Sequence, residues 1–450
     1  MRNARQVALD ILSQLHRKGK TIDHWIERAD PQIRRLQRAD RAFAHALVYG
    51  TLRWQGRLDF MINQLARNPS KIDPLVRVIL RMALFQMNHM ERVPHSAAVH
   101  TAVELAKQNG HKWAAGFVNG VLRRAAAAPD DIVWPSSSQG IDLALAIEHS
   151  FPVWLTRRWI ERFGLDGACR LCEAINTIPS ITVRTNTLKT DRVTLIKKIE
   201  EETGAALETQ YTPEGIQLGS LARPMTQWAA YRDGWFQVQN EAAQLVSHVV
   251  APKPGESVWD ACAGLGTKSA HLAQIMEDQG TIVATDLQPS KLERLAKEMV
   301  RLGITSVTPR SMDLTNARID DRLTPFDKIL VDAPCSGLGV LQKNPDGKWR
   351  VTEDEIFRAA ARQAAILDRV ALHLRVGGAL TYAVCSFEPE ENEGIVEGFL
   401  QKHPGFAIDI PQMTATSQAN RLITSEGFLR TFPHNNSMDG FFAARFVRKS

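Results

Sequence analysis

From Ser257 onward, short apolar stretches alternate with amphipathic helical segments, and few folds accept that pattern. Ser257–Asp260, Thr281–Asp286, Phe326–Asp332 and Ala379–Cys385 read as strands, with helical patterns between them. Strands separated by helices predict a parallel sheet covered by helices, a Rossmann-like α/β domain over residues 236–450. Ligands of such sheets bind beyond the carboxyl ends of the strands, so the residues that close each strand are the first candidates for function.

The first of these strands runs into Ala261-Cys-Ala-Gly-Leu-Gly-Thr-Lys-Ser269, a glycine-containing turn ahead of a helix. A phosphate-cradling Walker loop needs Gly immediately before the lysine, where this chain has Thr267. A dinucleotide fingerprint that counts Gly264 and Gly266 as its first two glycines needs a third at Ser269. Both readings fail. What remains is a loop, Cys262-Ala-Gly-Leu-Gly-Thr-Lys268, whose backbone passes close to a small nucleoside ligand. Asp286 closes the next strand, 20 residues beyond Gly266, where a carboxylate accepts from ribose hydroxyls. Asp313, near the end of a third strand, is placed to meet an adenine edge. S-adenosylmethionine, with no pyrophosphate to hold, fits this set.

Two other strands end in thiols. Phe326–Asp332 leads into Asp332-Ala-Pro-Cys335, and Ala379-Leu-Thr-Tyr-Ala-Val-Cys385 ends on Cys385. A lone free cysteine is most often a small buried hydrophobe, but two on the ligand edge of one sheet suit covalent chemistry. Carbon C5 of cytosine is too weak a nucleophile to take a methyl group from a sulfonium unaided. A thiolate that adds at C6 makes C5 enamine-like. Asp332 is placed to support protonation at ring N3, and a second thiol helps the C5 proton and the nucleophile to leave. The residues themselves do not rank the two cysteines.

The first 125 residues show only helical periodicity, for example Asp73-Pro74 as a helix start followed by Leu75, Val76, Ile79, Leu80, Ala83 and Leu84. They hold 21 Lys and Arg against 9 Asp and Glu, net +12; the rest holds 34 against 40, net −6. A basic module joined to an acidic one points to a polyanionic partner for the first, and a solvated basic face is the plain alternative. Residues 128–140 read as a linker, so the expected divisions are 1–130 all-α, 131–144 linker, 145–235 small α+β and 236–450 catalytic. The α+β part is expected to hold a helix near Trp154–Phe163, a strand at Ile181–Asn186 and a helix near Val193–Glu202. No apolar run is long enough to cross a bilayer, and the start lacks the apolar core of a signal peptide, so a cytoplasmic protein is expected. The five cysteines are then free thiols. Cys169 and Cys172 form one Cys-x-x-Cys with no second pair or nearby His in sequence, and no metal is expected.

Taken together, Asp332-Ala-Pro-Cys-Ser-Gly337, Asn344-Pro-Asp-Gly-Lys-Trp349, Cys385-Ser386 with Pro389-Glu-Glu-Asn-Glu393, and Asp439-Gly-Phe-Phe442 resemble the motifs of the Sun/RsmB family of rRNA 5-methylcytosine methyltransferases. Asp40-Arg41, Leu47-Val-Tyr-Gly-Thr-Leu-Arg53, Val93-Pro-His-Ser-Ala-Ala-Val99 and Phe117-Val-Asn-Gly-Val-Leu-Arg123 resemble that family's NusB-like RNA-binding domain. The resemblance implies that Cys262, Ala263, Gly264, Leu265, Gly266, Thr267, Lys268, Asp286, Asp313 and Asp332 contact S-adenosylmethionine. It also implies that Cys385 attacks C6 and that Cys335 assists release. The expected partner is 16S rRNA before full small-subunit assembly, met by a monomer through basic residues such as Arg34, Arg35, Arg38 and Arg41. The same chemistry on tRNA or large-subunit rRNA, a non-catalytic RNA-binding factor and a nucleotide-dependent oxidoreductase are the alternatives. The sequence departs from the family at Gly264-Leu-Gly-Thr-Lys268, where Ala-Pro-Gly-Gly-Lys is usual. It departs also at Gln239-Asn240-Glu241 and Gln342-Lys343, where changed RNA contacts are expected, and at Val384, where Thr is common.

Overall fold

The computed structural model describes residues 3–15, 20–128, 131–221, 223–315, 325–413 and 416–450. Pro129 and Asp130 of the expected linker lie outside them. The chain forms two units, Met1–Thr177 with Lys343–Arg350, and Ile178–Gln342 with Val351–Ser450.

Among its described residues the first unit is helical: α1 (Ala4–Gln14), α2 (Ile22–Ile33), α3 (Arg38–Arg53), α4 (Gln55–Leu65), α5 (Pro74–His89), α6 (His95–Gln108), α7 (Ala115–Ala127), α8 (Ile141–His149) and α9 (Val153–Asn176). Asp73 caps α5 by accepting from the Leu75 and Val76 amides at 2.8 and 3.3 Å, and Pro74 gives up no needed donor at the first position. The apolar face this start sets in register, Val76, Ile79, Leu80, Ala83 and Leu84, is fully buried against Val7, Ile11 and Leu12 of α1 and Leu47 and Val48 of α3. The helix expected near Trp154–Phe163 is the first part of α9; Gly164, at φ +71°, breaks the helical geometry, a second helical stretch runs on to Asn176, and both group with these helices rather than with the strands that follow.

A distant segment completes this unit. Within Lys343–Arg350 lies a short helix, α15 (Gly347–Arg350). The Lys348 ammonium, 1% exposed, donates to the carbonyls of Arg53 and Ser150 at 3.1 and 3.2 Å and to Asn176 Oδ1 at 2.6 Å. Burial drives this lysine well below its ordinary range. The Trp349 indole N–H donates to the Leu52 carbonyl at 2.7 Å. The Asn344–Trp349 motif is therefore a structural plug of the helical unit.

The second unit opens with β1 (Thr182–Thr185), α10 (Arg192–Thr203), β2 (Ala206–Glu208), β3 (Gly215–Leu218), α11 (Ala229–Arg232) and β4 (Phe236–Val238). Its four strands form an antiparallel sheet in the order β2-β3-β1-β4. Then come α12 (Glu241–Val250), β5 (Ser257–Asp260), α13 (Thr267–Ile275), β6 (Thr281–Asp286), α14 (Pro289–Leu302), β7 (Val307–Ser311) and β8 (Phe326–Asp332). After the plug segment follow α16 (Glu353–Val370), β9 (Leu374–Val384), α17 (Glu393–Lys402), β10 (Phe406–Ile408), β11 (Leu429–Thr431), α18 (Pro433–Asn436) and β12 (Phe441–Arg448). The large sheet runs β10-β12-β9-β8-β5-β6-β7, with β11 on β12.

Strands β5 to β9 are mutually parallel, as the alternation predicts. Beyond these strands the sheet is mixed: β12 runs antiparallel to β9, and β10 and β11 antiparallel to β12. Strands β11 and β12 pair antiparallel across residues 432–440, a connection that needs no crossover. The chain leaves β5 toward β6 and β7, then returns to place β8 on the other side of β5. A crevice at the carboxyl edge opens at that reversal. Among the described residues no helix is long and apolar enough to cross a membrane.

Candidate active site

Strand β5 ends at Asp260 and hands the chain to a turn pinned from both sides. The Ala261 amide donates to Leu330 O of β8, and the Ala263 amide to Thr285 O of β6, both at 2.8 Å. Gly264, at φ +58°, donates its amide to Asp286 Oδ2 at 3.1 Å. Gly266 takes φ +79°, and a Cβ there would lie 2.4 Å from Leu295 Cγ of α14, so two constraints select glycine. Asp260, fully buried beneath it, accepts from Ser269 Oγ at 2.6 Å. Burial pushes its carboxyl up to about 7.

Arg184 of β1 buttresses the same turn. Its buried guanidinium donates to Thr267 O at 3.0 Å, Gln274 Oε1 at 2.8 Å and Gln237 Oε1 at 2.9 Å, and to Gln239 Oε1. Burial lowers it to about 9. The small sheet thus holds the start of α13. Gln239 is committed here; Asn240 caps α12 through the Ala242 amide, and buried Glu241 accepts from the Tyr211 and Thr212 amides. All three residues of this triplet have partners inside the fold: Gln239 gives an amide oxygen to the buried arginine, and Asn240 and Glu241 bind neighbouring backbone amides.

Beyond the turn opens a cavity of about 410 Å³. Its wall carries Cys262, Gly264, Asp286, Asp313, Asp332, Cys335 and Cys385, from five strand ends and their loops. Ala263, Leu265, Gly266, Thr267 and Lys268 shape the turn instead of lining that wall. Asp286 accepts from the amides of Gly264 and Gln288 at 3.1 and 2.8 Å and faces Lys291 at 3.6 Å. Asp313 accepts from the Thr315 amide and hydroxyl at 2.8 and 2.6 Å. Met312, Leu314 and Ile366 give the cavity apolar flanks. Sequence reading missed these three and Lys291, because nothing in their spacing separates a cavity wall from a core. Backbone amides, a carboxylate at the second strand end and apolar flanks match the donor set of a nucleoside with a charged tail, so S-adenosylmethionine fits.

The two thiols come together at one end of the cavity. Register between β8 and β9 places Asp332 beside Ala383, and Cys335 Sγ lies 3.0 Å from Cys385 Sγ. The contact with Cys385, burial, and the charges of Glu391 and Asp332 hold the Cys335 thiol well above its ordinary range. Lys268 Nζ sits 2.6 Å from Asp332 Oδ2. Burial pushes this ammonium down, but Asp332, with Cys385 and Asp260, outweighs it and leaves it raised. Cys262 is a different kind of thiol: burial first, then three nearby aspartates, push it up. The remaining pair separates. Cys172 is in the core, whereas Cys169 Sγ lies 3.7 Å from His149 Nε2, with Glu173 nearby. The fold thus supplies a histidine neighbour that spacing along the chain did not show.

Residues 247–447 match the family described as 16S rRNA methyltransferase RsmB/F, residues 2–127 the NusB family, and residues 151–223 the ferredoxin-like domain of RsmF/B-like methyltransferases. The chain is 37% identical over 449 residues to a probable ribosomal RNA small subunit methyltransferase B of Synechocystis, covering 100% of each. It is 33% identical to a protein of the same name from Bacillus subtilis, covering 99% of each. The crystal structure of PH0851 superposes with a TM-score of 0.82 at 26% identity, over 100% of this chain and 99% of that one. NSun6 from Pyrococcus horikoshii, solved with SFG, shares the fold at a TM-score of 0.60 and 23% identity, over 67% of this chain and 99% of its own. The chain belongs to the RsmB/F family of S-adenosylmethionine-dependent methyltransferases, with a NusB-like helical domain, a small ferredoxin-like domain and a Rossmann-like catalytic domain.

Proposed function

We propose that this methyltransferase modifies C5 of a cytosine in small-subunit rRNA through a covalent bond between Cys385 and C6. The observation that carries the reading is the pair of thiols 3.0 Å apart, on adjacent strand ends, in the wall of the cofactor cavity. The names of the relatives support rRNA as the substrate, and a cytoplasmic place of action follows from it.

Bound S-adenosylmethionine supplies an electrophilic methyl group. Asp286 would take the ribose, the Cys262–Lys268 turn would pass its backbone along the cofactor, and Asp313 with Met312 and Leu314 would bracket the base. Cys385 Sγ adds to C6, and the electrons of the C5–C6 double bond move toward C5 and the N3 side of the ring. The Asp332–Lys268 pair lies at 2.6 Å beside the thiols and supports a proton at N3. Once C5 is methylated, its proton passes to Cys335 acting as base, the proton at N3 returns to the Asp332–Lys268 pair, the electrons of the C5–H bond re-form the ring double bond, and the Cys385–C6 bond breaks with its electron pair returning to the Cys385 sulfur. Cys335, whose surroundings make it bind a proton tightly, assists that release. A thiolate must reach C6 from the face of the base, so the cytosine has to be unstacked first.

The test uses Cys385→Ala and Cys335→Ala with methyl-labelled cofactor and protein-free 16S rRNA. Cys385→Ala is expected to transfer nothing, and Cys335→Ala to accumulate a protein–RNA adduct that survives denaturant. Full activity of Cys385→Ala would contradict the mechanism.

A further inference from the structure

Three residues after Phe387-Glu388 the chain turns inward, and Glu391 ends up fully buried. Its carboxyl accepts four hydrogen bonds. Oε1 takes the Ser336 amide at 2.8 Å and Gln363 Nε2 of α16 at 2.9 Å. Oε2 takes the hydroxyls of Ser336 and Ser386, both at 2.5 Å. Ser336 follows Cys335 and Ser386 follows Cys385, so one side chain grips the residue after each thiol. The grip is closed from behind. Gln363 Nε2 also donates to Pro334 O at 3.1 Å, so both peptides flanking Cys335 are tied to this cluster. Tyr382 of β9 donates its hydroxyl toward Gln363 Oε1 at 2.9 Å and Glu391 O at 2.7 Å, fixing the backbone that carries the carboxyl.

We propose that Glu391 is a positioning residue that holds Cys335 and Cys385 in reacting geometry by clamping the serine that follows each. The inference rests on the thiol mechanism proposed above. Two strand-end loops would otherwise choose their own rotamers; a shared acceptor removes that freedom, and among the described residues none in the cavity wall does the same. The clamp has a second consequence, because a negative charge behind Cys335 helps that thiol keep its proton. The motif around Glu391 thereby gains a role that its own chemistry does not announce: it touches neither cavity nor substrate, and acts only through the two serines.

The test is made on the full-length protein with small-subunit rRNA transcribed with 5-fluorocytidine, which cannot lose the group at C5 and so traps the covalent adduct. Adduct formation is timed in single turnover, and S-adenosylmethionine affinity is measured in parallel. Glu391→Ala is expected to slow adduct formation by about 100-fold, the order of effect for reacting groups displaced by about 1 Å, with cofactor affinity within about three-fold of the parent. Glu391→Gln is expected to recover most of that rate, since its amide oxygen accepts from Ser336 N–H and Gln363 while its NH₂ donates to the two hydroxyls, which turn to accept.

The two arms of the clamp separate kinetically. Ser386→Ala is expected to slow adduct formation. Ser336→Ala is expected to form adduct normally but to turn over slowly on unmodified rRNA, with adduct accumulating. If Glu391→Ala loses cofactor binding, the fold has failed and this serine pair decides. Parental rates for Glu391→Ala, or equal slowing of both steps in the two serine variants, would overturn the clamp. Cys385→Ala run alongside distinguishes the failures: if it still forms adduct, the thiol mechanism is wrong; if it is inert while Glu391→Ala is fully active, only the clamp is wrong.

Discussion

Asp260 carries a stability cost that pH exposes. Its carboxyl is neutral up to about pH 7 in the folded chain but ionises near 3.8 when exposed. Between those values the folded state binds one more proton than the unfolded state, so stability falls as pH rises through that window and levels off above it, by about 1.4 kcal/mol per pH unit at most. Asp260→Asn, which keeps an oxygen for Ser269, is expected to raise the melting temperature, with a gain that grows from pH 4 to pH 7 and is constant beyond. A gain that shrinks with rising pH would contradict the assignment. At this scale the sequence was partly readable. Asp332, Cys335 and Cys385 could be named because each lies at or just beyond the end of a strand whose apolar run is visible. Asp260 also closes a strand, yet whether it faces the cavity or lies beneath the turn depends on Ser269 and α13 packing over it. Glu391 could not be found in this way, since its partners lie 5, 28 and 55 residues away and only the folded sheet brings them together.

The cofactor turn works because two elements fix it, β6 through Asp286 and α14 through Leu295. Gly266→Ala must relieve both a positive φ and a Cβ 2.4 Å from Leu295 Cγ. It is expected to cost roughly 2–3 kcal/mol of stability, in line with overpacking plus strain, and to weaken S-adenosylmethionine binding at least ten-fold. Titration calorimetry and thermal unfolding check both, and unchanged cofactor affinity would show that the turn is not the cofactor's cradle. The parallel core β5 to β9 was legible because each strand is an apolar run followed by an amphipathic helix. Strands β10 and β11 were not: Phe406–Ile408 and Leu429–Thr431 have three residues each, too few for a period to show. The helix read near Trp154–Phe163 ends where Gly164 leaves helical geometry, at φ +71° and ψ 170°, and the stretch beyond it to Asn176 was not foreseen.

Charge is distributed unevenly over the whole chain, with net +12 in the first 125 residues. Arg34, Arg35 and Arg38 cluster at the turn from α2 to α3 and are exposed, with Arg34 paired to Asp30 in a solvent-facing bridge that adds little stability. Replacing all three by Gln is expected to lower rRNA affinity and to flatten its salt dependence, because every phosphate left without its arginine takes about one unit off the slope of log K against log salt. An unchanged slope in a filter-binding series would move the RNA surface elsewhere. The segment Lys343–Arg350 shows what sequence order hides: it lies between β8 and α16, yet groups with the helical unit through Lys348 and Trp349. A lysine in a polar motif reads as a surface residue until its three oxygen partners are seen. The central claim is that Cys385 is the nucleophile, with Cys335 its helper. Peptide mapping by mass spectrometry of the adduct trapped on 5-fluorocytidine rRNA tests it most directly. The nucleotide is expected on the peptide that contains Cys385; finding it on the peptide that contains Cys335, or finding no cysteine-linked nucleotide, would contradict the account.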